Sequence, residues 1–113
     1  MKNLNALELA ILERLFVKFP SIKLHIPLLK ILSRENTGVG MFVNFSYSGV
    51  LQSVPDFEIV DGVISTNENI HIDSLKYGLG YEVDISAGRI NFIEFITYSE
   101  EWDGDTAEFK LRE

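Results

Sequence analysis

The sequence predicts an α+β fold: an N-terminal helix and a short second helix packed on one antiparallel sheet of about five strands. Two observations carry this reading. Apolar residues recur at spacings of three and four between Asn5 and Phe19, and from Leu28 onward they fall in short runs punctuated by Gly, Pro, Asn and Asp. A third observation bounds it. At 113 residues, 46% hydrophobic and with a mean hydropathy of +0.10, the chain has the size and apolar content of a single globular domain spanning 1–113.

Leu7, Leu9, Ile11, Leu12, Leu15, Phe16 and Phe19 define the first helix, with an apolar arc wide enough to settle into a groove. Glu8 falls inside that arc. A carboxylate there needs either the solvent at the arc's edge or a basic partner such as Arg34, and the edge is the expectation. Pro20 and Ser21 start a second helix that Pro27 limits to one or two turns.

Leu28 to Arg34 reads as the first strand, Thr37 to Gly40 as a turn, and Met41 to Tyr47 as the return strand, ended by Ser48-Gly49. Phe57 to Val60 and Val63 to Ser65 flank Asp61-Gly62, which suggests a tight hairpin or a bulged strand. Ile70 to Asp73 alternates as a short edge element. Tyr81 to Ile85 and Ile90 to Ile96, joined by Ser86-Ala87-Gly88, form the clearest hairpin. Ser99 to Asp105 is an acidic, turn-like tail, and Phe109 to Leu111 adds a last edge strand.

Composition narrows the function classes. The absence of cysteine excludes disulfides, thiolate metal sites and cysteine nucleophiles, and suits a reducing compartment. Charged residues interrupt the N-terminal pattern at once, and no window supplies the apolar run of a spanning helix, so the expectation is a cytoplasmic protein without a membrane segment. The net charge of -7 is unevenly spread: six basic and three acidic residues fall within 1–35, and four basic and fourteen acidic within the remainder. An acidic body repels phosphate backbones and attracts a basic protein, although charge of this kind also serves solubility alone.

Catalytic signatures are missing. Thr37-Gly38-Val39-Gly40 begins like a nucleotide loop but is followed by an apolar strand, so its glycines fit positive backbone angles or a close backbone contact. His25 and His71, the only histidines, share no ligand spacing with nearby carboxylates and read as partly exposed structural residues. Neither a metal nor a cofactor is expected. Glu82 and Asp84 share a strand face and can stand opposite Glu94, either as an acid-base pair or as a solvated acidic face with Arg89 nearby. Glu100, Glu101, Trp102, Asp103 and Asp105 place the only tryptophan among carboxylates. Trp102 is expected to cap the sheet; the alternative is an aromatic anchor with an acidic rim.

Ser33-Arg34-Glu35-Asn36-Thr37-Gly38-Val39-Gly40-Met41-Phe42, with Gly78-Leu79-Gly80-Tyr81 and Ile93 to Tyr98, resembles a family of small uncharacterised bacterial proteins. In that family a Ser-Arg-Glu run precedes Thr-Gly-Val-Gly and an aromatic. Ile96 stands where the family often has glycine. The resemblance implies a bacterial source, one shared domain and a common role for Arg34, Glu35, Thr37 and Glu94, as a binding site or as a brace between hairpins.

The expectation is thus a non-catalytic acidic protein-binding domain, of the immunity type that neutralises a basic toxin. One alternative is a small-molecule-binding domain or enzyme with a polar site around Arg34, Glu35, Glu82 and Glu94. Another is a structural homodimer.

Overall fold

The computed structural model describes residues 2–48 and 54–112, so Gly49 of the expected strand end lies outside the described residues. Helix α1 spans Ala6–Leu15 and α2 Ile22–His25, followed by a single 3-10 turn at Ile26–Leu28. The strands are β1 Leu29–Asn36, β2 Gly40–Tyr47, β3 Gly62–Ile64, β4 Asn69–His71, β5 Leu79–Ser86, β6 Arg89–Thr97 and β7 Lys110–Arg112. They form one antiparallel sheet in the order β1-β2-β6-β5-β4-β7, and β3 pairs with the later part of β5.

The α+β class stands, with seven strands rather than about five. Three of the seven are only three residues long, which leaves little alternation to read. Two local expectations need correction. Phe57 to Val60 is not a strand: Phe57 packs instead against the rings of Phe19 and His25. Ile70 to Asp73 is not an edge, because β4 lies between β5 and β7.

Helix α1 starts in a capping box, Asn5 Oδ1 accepting from the Glu8 N–H at 2.9 Å and Glu8 Oε1 from the Asn5 N–H at 2.8 Å. It ends at Leu15, short of Phe19. The Lys18 N–H there donates to the Leu15 carbonyl, a tighter i to i+3 bond, and Pro20 disfavours helical backbone at the residue before it. Leu7, Ile11, Leu12 and Leu15 are fully buried against the sheet's inner residues, including Val43, Val83, Ile93 and Phe95. Truncating any of these to alanine costs about 2–5 kcal/mol.

Two single-residue bulges decide which residues face this core. In β1, Ile31 pairs with Phe45 and Ser33 with Asn44, so Leu32 is extra and stands 63% exposed. Before it Leu29 and Ile31 point inward; after it Arg34 and Asn36 do. In β6, Ile90 pairs with Ile85 and Phe92 with Asp84, making Asn91 extra and turning Phe92, Glu94 and Ile96 outward.

Glu8 is therefore not at a solvent edge. It is 1% exposed, and Arg34, turned inward by the bulge, binds it through two bonds, Nε to Oε2 at 2.8 Å and Nη2 to Oε1 at 2.9 Å. One carboxylate thus closes the helix cap and clamps the helix to β1. Breaking such a pair from one side strands a buried charge. Arg34→Leu is expected to lower the unfolding free energy in urea by about 2–4 kcal/mol, a range that allows for the partial exposure of the arginine. Adding Glu8→Gln, whose amide keeps the capping box, recovers at least half of that loss; a cost below about 0.5 kcal/mol for Arg34→Leu would contradict the clamp.

Candidate functional site

The helices cover one face of the sheet. On the other, the strand registers set outward side chains in three cross-strand rows. The central row reads Glu35, Phe42, Glu94, Glu82 across β1, β2, β6 and β5. On one side lies Ser33, Asn44, Phe92, Asp84 and Val63; on the other, Ile96 stands between Gly40 and Gly80.

Phe42 and Phe92 are half-buried and meet edge to face, 5.5 Å between centroids. Ile96 is 38% exposed beside them. The Tyr98 hydroxyl lies 2.9 Å from where a Gly80 Cβ would sit, so that glycine makes room for the ring. A Cβ on Gly40 would collide with the Phe95 carbonyl, and Gly38 has φ +88; both explanations expected for the turn's glycines therefore hold, at different residues.

The acids of the face are not equivalent. Asp84 Oδ2 accepts from Ser86 Oγ at 2.9 Å and from Asn91 Nδ2 at 3.0 Å. Glu82 and Glu94 stand directly opposite one another, as their alternation suggested, yet neither accepts a side-chain or backbone donor among the described residues. The ion pairs there are Arg34 with Glu8 and Arg14 with Glu68, neither on this face. Arg89 does not relieve the repulsion: it lies over the Tyr47 ring, 5.7 Å from the centroid.

The remaining site candidates disperse. Arg34 faces the helix while Glu35, Glu82 and Glu94 face away from it, so the polar site expected around those four does not assemble. Thr37 is exposed at the turn, its N–H donating to the Gly40 carbonyl. Trp102 is 4% exposed and edge-on to Phe95 at 6.2 Å, which makes it the cap and removes it as an anchor. Glu100 accepts the N–H groups of Lys76 and Tyr77, and Asp103 and Asp105 accept those of Asp105 and Ala107. These three tail carboxylates hold turns, and Glu101 is exposed beside them. Phe42, Phe92 and Ile96 are the face residues that sequence reasoning missed; the only signal was the break of alternation at Asn91.

Of the cavities among the described residues, two lie away from this face. One of about 650 Å³ opens at Thr37, Gly38, Val39, Ser74, Glu101, Trp102 and Asp103, and one of about 460 Å³ at His71, Asp73, Glu108 and Lys110 with their neighbours. Among the described residues no three His, Cys, Asp or Glu side chains are grouped to hold a metal ion, and no helix is long and apolar enough to cross a membrane.

Exposed His71 fits the sequence reading, but His25 is 0% exposed, a correction. The Tyr47 hydroxyl accepts the Ile90 N–H at 2.8 Å and so donates its own proton to His25 Nδ1, also at 2.8 Å. That fixes the neutral tautomer with hydrogen on Nε2, which has no partner among the described residues. Burial pushes the Tyr47 phenol up to about 12 and holds the imidazole below its usual 6.5, against the opposing pull of the Pro55 and Asp56 backbone and of Glu58. The unfolded chain takes up this proton more readily than the native one. Stability is therefore full above about pH 6.5 and declines as pH falls toward the lowered native value. Urea midpoints are expected to drop between about pH 7 and pH 5 in wild type, with that part of the slope absent in His25→Gln. Equal slopes in the two proteins would contradict the assignment.

No protein family, curated protein or solved structure matches this chain.

Proposed function

We propose that the chain is a non-catalytic binding protein whose open sheet face docks a basic protein, as an immunity-type neutraliser docks a cationic toxin. The observation that carries this is the central row: two carboxylates face each other beside an aromatic pair, with no cation paired to them among the described residues. Like charges directly opposite on neighbouring strands destabilise the free protein, and a cationic partner removes that cost on binding.

Several features support this reading over its alternatives. A small-molecule site wants a concave pocket lined by the polar groups, and Arg34, Glu35, Glu82 and Glu94 line none of the five best-formed cavities among the described residues. A face-to-face homodimer would bring Glu35, Glu82 and Glu94 of two copies together, which opposes self-association through this surface. Acidic charge likewise disfavours a nucleic acid as the occupant. A cysteine-free chain suits the reducing cytoplasm of a bacterium.

The test is capture of a partner from the source organism at low and raised salt, followed by affinity measurement with the purified partner. The partner is expected to be basic, its affinity to fall as salt rises, and Phe42→Ala or Phe92→Ala to weaken it about tenfold or more. Glu101→Gln in the tail should slow association without shortening the lifetime of the complex. An acidic partner, or one indifferent to both phenylalanines, would rule this surface out.

A further inference from the structure

We infer that the partner seats an arginine side chain on Glu82 and Glu94, with its guanidinium against the Phe42 and Phe92 rings. The inference rests on the docking reading above and specifies its chemistry.

The occupant follows from the different states of the acids on the face. Asp84 is satisfied by two neutral donors, and Glu35 is exposed at the end of its row. Glu94 is half-buried and surrounded: Phe42 and Glu82 flank it across the strands, and Phe92 and Ile96 lie two residues before and after it. A carboxylate in that position loses hydration to its apolar neighbours and gains no donor in return among the described residues. Opposite it across the strands stands a second carboxylate, Glu82, which is exposed. Directly opposed residues on adjacent antiparallel strands have Cβ atoms about 5 Å apart, so one planar group can reach both carboxylates at once.

A guanidinium meets these requirements better than an ammonium. Its five donors lie in one plane and can be shared between two carboxylates, whereas a lysine ammonium acts as a strongly hydrated point charge. It also sheds water at lower cost and stacks on aromatic faces, and two half-buried phenyl rings stand beside the acids. The aliphatic stem of the same side chain has Ile96 to cover.

The test uses two peptides of alternating arginine and serine, or lysine and serine, at equal length, titrated into the intact protein and followed by amide and aromatic NMR shifts. Shifts are expected at Phe42, Glu82, Phe92 and Glu94, with the arginine peptide binding about tenfold more tightly. Phe92→Leu, which keeps an apolar side chain and removes the ring, should bring the arginine affinity down toward that for lysine. Glu82→Gln with Glu94→Gln should abolish the shifts for both peptides. Equal affinities of the two peptides at this face would overturn the arginine seat while leaving the docking surface standing. Shifts confined to the Glu100 to Asp105 tail, or none, would overturn both.

Discussion

The two bulges, at Leu32 and at Asn91, are the constraint on which the rest of this structure depends. Side chains alternate with a period of two, so one inserted residue exchanges the faces of everything beyond it. Without the first, Arg34 would point away from Glu8, and the carboxylate that closes the helix cap would be buried unpaired. Without the second, Phe92 and Glu94 would turn into the core and displace Ile93 and Phe95. Each bulge thus serves both faces together, completing the core on one side and exposing acid and aromatic residues on the other.

The covered face is consistent in its charges. Among the described residues its buried carboxylate, Glu8, has a bidentate partner, and its apolar residues close around the helix, with His25 Nε2 the polar atom left unpartnered there. The open face is not. Opposed carboxylates without donors among the described residues, beside aromatic rings in partial contact with water, are a local conflict of a kind that folding alone does not select. A conflict of that sort is intelligible when a second molecule resolves it, and this asymmetry between faces connects the fold to the proposed function.

How far the sequence could be read follows from the same geometry. The helix, the Met41 to Tyr47 strand and the β5–β6 hairpin were legible because each repeats a pattern over many residues. The shared face of Glu82 and Asp84 and the place of Glu82 opposite Glu94 were legible too, since nothing interrupts β5, whereas Asp84 stands opposite Phe92. Arg34 was misplaced with Glu35 because a single leucine in an apolar run gives no sign that it is the extra residue. The outward turn of Phe92 was not anticipated, because its strand was read without the extra residue at Asn91. The strand expected at Phe57 failed because tertiary packing on Phe19 and His25 overrode local pattern. Trp102 was anticipated as a cap, but the use of three tail carboxylates in turns depends on backbone conformation that composition does not reveal.

The central claim is that the carboxylates of the open face are held at a cost to the free protein. The most direct measurement is the thermal midpoint of Glu94→Gln without any partner, at low salt. Removing one of two opposed charges should raise the midpoint by roughly 1–4 °C, with the gain shrinking as salt screens the repulsion. A midpoint that falls, or that does not move at any salt, would mean that the opposed carboxylates carry no cost, and the open face would lose its claim to be a binding surface.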